Sequence, residues 1–276
     1  MTSSAIDASG PSPAGTARRV IILVRTGFFF IVGAISTLLI ATLVIVSALL
    51  GVKNRVGGIL DWGLEAWSRM CLWGARSKLR THGIEKVDPH QPHIFMANHL
   101  SWLDILALGA TVPQSRFVAK VELFRIPLFG RAMKSVDMVP MDRQNRKAAF
   151  SAYDDAAAII RGGTSIIVFP EGTRGDDYRI RPLKKGPFVL AIAAGVPIIP
   201  VLLHGTRDSM PNGTLTVRGG PMDVHFLDPV PVDGLTYDDR EQLASEVRAR
   251  LAAAVESIYG VSSQDKDRLV KSAASS

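Results

Sequence analysis

A histidine and an aspartate, His99 and Asp104, stand five residues apart in the otherwise apolar stretch "ANHLSWLDIL", residues 97–106. A carboxylate bonded to one imidazole nitrogen leaves the other free to accept a proton from a hydroxyl. It also stabilises the imidazolium that results. On a regular helix, five positions rotate a side chain by about 140°, so the two would face apart. They can meet only if His99 precedes the helix, on a strand-to-helix turn, with Asp104 in the first turn. Ser101 supports that arrangement, since a serine three residues ahead of an acid resembles a capping box. The same residues also suit a plainer reading, in which Ser101 and Asp104 only cap the helix and His99 is a partly buried polar side chain.

A second candidate is "FPEGTR", residues 169–174. Gly172 allows tight backbone approach. Arg174 offers a planar fork that matches phosphate, and Glu171 and Thr173 complete a polar turn. The plain alternative is a surface turn with a Glu–Arg ion pair. Two more cations fall at strand ends: Arg143 in "VPMDR" and Lys120 after "RFVA". The run "VPIIPV", 196–201, carries two prolines, which predicts an edge strand or a bulge.

These residues need a scaffold. Short apolar runs at 93–98, 116–120, 137–141, 165–169, 197–203 and 222–227 read as strands. Helical patterns lie between them. "NRKAAFSAYDDAAAIIRGG" ends at Gly162–Gly163. "GPFVLAIAAG" has Pro187 near its start and Gly195 just past its end. A last amphipathic helix spans 236–259. This alternation predicts an α/β fold: a mixed, mostly parallel sheet flanked by helices. Ligands in such sheets sit beyond the carboxyl ends of strands. His99, Arg143, Glu171 and Arg174 all follow predicted strands, so three separate loops point to one site.

The remaining chain is membrane-like. Of its 276 residues 47% are hydrophobic, and the formal net charge is +7. That balance suits anionic partners such as anionic lipid or phosphorylated substrates. No recognised motif or aromatic-plus-basic platform points to nucleic acid. With Cys71 as the single cysteine, internal disulfides and thiolate metal clusters are excluded. Residues 1–17 read as a disordered tail. No charged residue occurs from Thr26 to Val52, 27 positions, long enough to cross a bilayer. Arg18, Arg19 and Arg25 flank one end and Lys53 and Arg55 the other. Orientation is therefore open, as is the choice between a single span and a re-entrant hairpin broken near "VGAIS". Residues 59–80 carry three of the four tryptophans beside Arg69, Arg76, Lys78 and Arg80, which predicts an interfacial helix.

In order and spacing, "NHLSWLD", "VPMDR", "FPEGTR" and "VPIIPV" resemble the four blocks of the glycerolipid acyltransferases, the lysophosphatidate (1-acylglycerol-3-phosphate O-) acyltransferases in particular. The resemblance covers roughly residues 80–230. It implies a glycerol-3-phosphate acyltransferase-like fold with N-terminal membrane helices. The expected organisation is a tail at 1–17, membrane-inserting and interfacial helices at 18–80, a catalytic domain at 81–261 and a flexible tail at 262–276. His99 would be the general base and Asp104 its orienting partner. Arg143, Glu171, Gly172, Thr173, Arg174 and Lys120 would form the acceptor site. The acyl donor would be acyl-CoA or acyl carrier protein, the acceptor lysophosphatidate, and the location a bacterial-type inner membrane with the catalytic domain cytoplasmic. No metal or other cofactor is implied. Another lysolipid acceptor, such as a lyso-ornithine lipid or a glycolipid, or a non-catalytic lipid-binding role, would fit the same blocks. One departure stands out: family members often carry glycine where this chain has Asp137.

Overall fold

The computed structural model describes residues 13–53, 57–112, 114–142 and 146–262. Its centre is a seven-stranded sheet in the order β1-β7-β6-β2-β5-β3-β4. The strands are β1 Ser77–His82, β2 Ile94–Ala97, β3 Ser115–Lys120, β4 Val139–Met141, β5 Ser165–Val168, β6 Ile198–His204 and β7 Gly220–Phe226. All neighbours run parallel except β6 and β7. The mixed, mostly parallel sheet is thus the predicted one.

Two apolar clusters sandwich it. On one face lie the helices Arg146–Arg161 (α5), Gly186–Ala194 (α6) and Arg240–Tyr259 (α7), packed on residues such as Ile94, Ile166 and Leu202. On the other lie Leu103–Thr111 (α3) and Phe129–Ser135 (α4), with the N-terminal helices Pro13–Leu49 (α1) and Ile59–Gly74 (α2) beyond them. The glycine stops behave as read: Gly163 and Gly195 take φ values of 88° and 64° behind α5 and α6, which residues with a Cβ rarely adopt.

Several expectations are corrected. β1 was not foreseen, because the reading ran a single helix over 59–80. α2 stops at Gly74, the Ala75 N–H caps it on Cys71 O, and Arg76 at φ 55° turns the chain into the sheet. The sheet therefore starts at Ser77, ahead of the domain boundary at 81. Helix α1 starts at Pro13, inside the stretch read as tail, because proline is preorganised for a first helical turn. It then continues unbroken for 37 residues through "VGAIS", so no re-entrant break occurs there. On α2, Leu60 and Cys71 are buried, while Trp62, Met70 and Trp73 are exposed.

β6 lies inside the sheet, not at an edge as its prolines predicted. The Pro200 carbonyl accepts the Leu227 N–H at 3.0 Å, and pairing with β7 begins only at Val201–Phe226. In an extended strand the N–H and C=O of one residue point the same way. The N–H that Pro200 lacks would thus face Leu227, so one bond of that pair is lost, next to the register shift between the Val201–Phe226 pairing and the Ile198–Val230 bridge.

The departure at Asp137 resolves simply. Asp137 sits at φ 55°, the left-handed conformation that a glycine adopts freely and that aspartate tolerates better than most residues.

Close packing joins α1 to α2. A Cβ on Gly63 would meet Val44 at 2.8 Å, and one on Gly74 would meet Val32 at 2.9 Å. Asp61, in the first turn of α2, is tied to the sheet by a buried pair with Arg116 of β3 at 2.5 Å.

Candidate active site

His99 and Asp104 meet across the turn from β2 into α3. His99 Nδ1 lies 2.8 Å from Asp104 Oδ2. That oxygen also accepts the backbone N–H groups of Leu100 and Ser101, at 2.6 and 2.7 Å. It is an acceptor in every contact, so Nδ1 carries a proton, and in the neutral imidazole Nε2 keeps its lone pair. Nε2 has no hydrogen-bond partner among the described residues. The capping box is only half formed. Ser101 N–H reaches Asp104, but the Ser101 hydroxyl accepts from Leu103 N–H and donates to Met210 O. Asp104 thus caps the helix and holds the histidine with one oxygen, so both readings of the sequence hold together. The His99 ring is nearly buried and stacks on Phe169 with centroids 4.0 Å apart.

The 169–175 turn grips His99 through its backbone. Gly175 N–H donates to His99 O at 2.7 Å, and Glu171 Oε1 accepts the His99 N–H at 3.3 Å. Glu171 Oε2 pairs with Arg181 at 2.7 Å. Burial pushes the Glu171 carboxyl up, against the pull of the Arg181 guanidinium. Both Glu171 oxygens are therefore engaged inside the fold. Gly172 has φ 78° and room for a Cβ beside Lys184, so backbone conformation rather than close approach calls for glycine here. Arg181, which also donates to the Thr173 carbonyl, was missed in the sequence because it stands in an aperiodic loop ten residues beyond its partner.

A cavity of about 900 Å³ opens beside His99. Its mouth is polar, with His99, Gly172, Thr173, Arg174 and Lys120. Its depth is apolar, with Phe117, Met133 and Val136 on one side and Phe29, Thr37 and Val44 of α1 as a roof. The Arg174 guanidinium lies 4.9 Å from the centroid of the Trp102 ring and has no acidic partner among the described residues. Lys120 is exposed and pairs with Glu122 at 3.2 Å. Arg143 lies outside the described residues. The sheet therefore brings His99, Asp104, Glu171, Gly172, Thr173, Arg174 and Lys120 to one edge.

That fold and site define a class. The acyltransferase family profile matches residues 78–204. The acl-2 acyltransferase of Caenorhabditis elegans is 32% identical over 203 residues, 72% of this chain and 71% of that one. The chain belongs to this family of glycerolipid acyltransferases. Among its relatives, the human 1-acyl-sn-glycerol-3-phosphate acyltransferase alpha is 34% identical over 179 residues, 64% of this chain and 62% of that one. The chloroplastic 1-acyl-sn-glycerol-3-phosphate acyltransferase of Brassica napus is 32% identical over 187 residues, 66% of this chain. This chain spans about half the length of that plant relative, 53%. The crystal structure of the 1-acyl-sn-glycerophosphate acyltransferase PlsC from Thermotoga maritima superposes with a TM-score of 0.76 at 26% identity, over 87% of this chain and 97% of that one.

Proposed function

We propose that this chain is a membrane-associated enzyme that moves a fatty acyl group from an acyl thioester to the sn-2 hydroxyl of lysophosphatidate, giving phosphatidate. The observation that carries the reading is the unpartnered Nε2 of an Asp-held histidine at the polar mouth of a large apolar cavity. In this mechanism Nε2 takes the proton of the acceptor hydroxyl. The oxygen attacks the thioester carbonyl carbon, the C–S bond breaks, and the imidazolium returns the proton to the departing thiolate. Asp104 stabilises that imidazolium. Arg174, with Lys120 and Arg143, would hold the acceptor phosphate. Glu171 would act as a positioning residue on His99, and the cavity would take the acyl chain. The relatives' names support the acceptor; acyl-CoA and acyl carrier protein are both proposed donors.

Membrane association is supported by α1. Its contacts with α2, α4 and the 217–218 segment run along the body, while Ile31, Ile35, Leu38 and Leu39 stay exposed outward. Those residues form an apolar face that would enter lipid.

The test is turnover by the purified full chain, with each donor against lysophosphatidate, a lyso-ornithine lipid and a glycolipid. Lysophosphatidate is expected to be preferred. Turnover on another lysolipid alone would move the acceptor, and none on any would favour a lipid-binding role. His99→Ala should lower kcat by about 10²–10⁴ or more. Wild-type turnover by folded mutant protein would remove His99 as the base.

A further inference from the structure

The first half of α1 is bolted to the body some distance from the candidate active site. Arg25 donates to the Arg218 carbonyl, and Thr26 Oγ1 accepts the Val217 N–H at 3.0 Å. The Arg218 N–H is in turn fixed on Ser209 O at 2.7 Å. Between helix and body lies a recess of about 450 Å³ lined by Arg18, Arg25 and Arg218, with Ile21, Ile22 and Asp208. Arg18 and Arg25 are seven positions apart and share a helix face. Among the described residues none of the three guanidinium groups has an acidic partner. The nearby Asp208 carboxylate is already bonded to the Tyr178 hydroxyl at 2.7 Å and lies 3.8 Å from Arg207. With three guanidinium groups against one carboxylate in its lining, the recess is net positive and of a size that fits a phosphate ester, whose oxygens match guanidinium forks.

The surroundings choose the source of that phosphate. Ile21 of its own lining is exposed, and so are Val20, Leu23 and Val24 on the other faces of this stretch of α1. A free anion would gain nothing from them, whereas the acyl chains of a lipid would cover them. We propose that Arg18, Arg25 and Arg218 bind the phosphate of an anionic phospholipid, a site separate from that of the acceptor. The proposal rests on the membrane association argued above. Its consequence is mechanical. The same helix roofs the cavity further along, at Phe29, Thr37 and Val44, so a lipid held at the recess would reinforce the fixed end of that roof.

The experiment uses the full chain carrying Arg18→Gln with Arg218→Gln, leaving Arg25 to hold the helix. Binding to phosphatidylcholine vesicles with and without phosphatidylglycerol is measured by flotation. A basic residue at an anionic surface contributes about fivefold, so the double variant should lose about 30-fold on anionic vesicles and little on neutral ones. Lys53→Gln with Arg69→Gln removes equal charge elsewhere; an equal loss there would reduce the effect to general surface charge and overturn the site. Calorimetry with soluble dihexanoyl phosphatidylglycerol should show saturable binding that the first variant loses. Inorganic phosphate binding as tightly would overturn a lipid as the occupant. Turnover on detergent-dispersed substrate should be unchanged. Because vesicle binding needs no turnover, failure of the acyltransferase reading would leave these readouts intact, and wild-type protein that ignores vesicles would overturn the membrane reading itself.

Discussion

His99 is fixed at three points: its ring nitrogen on Asp104, its N–H on Glu171 and its carbonyl on the Gly175 N–H. The first was legible in the sequence, because a five-residue spacing with a capping serine is local geometry. The other two were not, since they depend on a turn brought up by the sheet. For the same reason the resemblance placed Glu171 in the acceptor site without showing that its oxygens reach His99 and Arg181. Arg174 differs, for its guanidinium lies against Trp102 at the cavity mouth. Arg174→Ala should therefore raise the KM of the phosphorylated acceptor by about tenfold or more, as expected for losing a charge-assisted hydrogen bond worth about 1.5–3 kcal/mol. The donor KM should hardly move. Steady-state kinetics with each substrate varied in turn will show it, and an equal rise in both would assign Arg174 a structural role.

Six of the seven strands were readable because each is a short apolar run between breakers. β1 was not, because "SKLRTH" is an edge strand with almost no buried side chain and no alternation to detect. β6 was readable as a strand but misplaced, since Pro200 sits inside the sheet at the loss of one bond to Leu227, beside a shift in register. The attachment of α2 to the sheet was invisible, because Asp61 and Arg116 are far apart in sequence. Their pair is almost wholly buried, so removing one partner strands a charge and costs about 3–5 kcal/mol. Asp61→Ala should lower Tm by roughly 6–20 °C at about 2–4 °C per kcal/mol. Calorimetry should also find Asp61→Ala with Arg116→Met less destabilised than Asp61→Ala alone.

Across the whole molecule, a stack of rings closes the β1-β7-β6 corner of the sheet. His204 lies between Tyr178 and Tyr259, at 4.3 and 3.5 Å, and His82 stacks on His225 at 4.3 Å. Burial lowers His204 and His225 from the ordinary histidine value; Asp208 and Asp223 pull His204 the other way, while for His225 the stacked His82 adds to the lowering and Asp223 opposes it, and Arg80 lowers both. A histidine held neutral binds fewer protons folded than unfolded. Its contribution is therefore present above the ordinary value near pH 6.5 and is lost as the pH falls toward the lowered one. Tm should thus drop between pH 7 and pH 5, and His204→Phe should flatten that slope; an unchanged slope would show that other groups set it. The order of the sheet also has a consequence for biosynthesis. β2 carries four buried residues, and its two neighbours are β5 and β6, both later in the chain. Its first partner emerges 72 residues after it, since Ile94 pairs with Ile166. At about 5–20 residues per second, the strand that leads into His99 leaves the ribosome about 4–14 s before anything can pair with it. Until then a nascent chain carries the sequence of the His99–Asp104 pair without its geometry, and an apolar strand with no partner of its own.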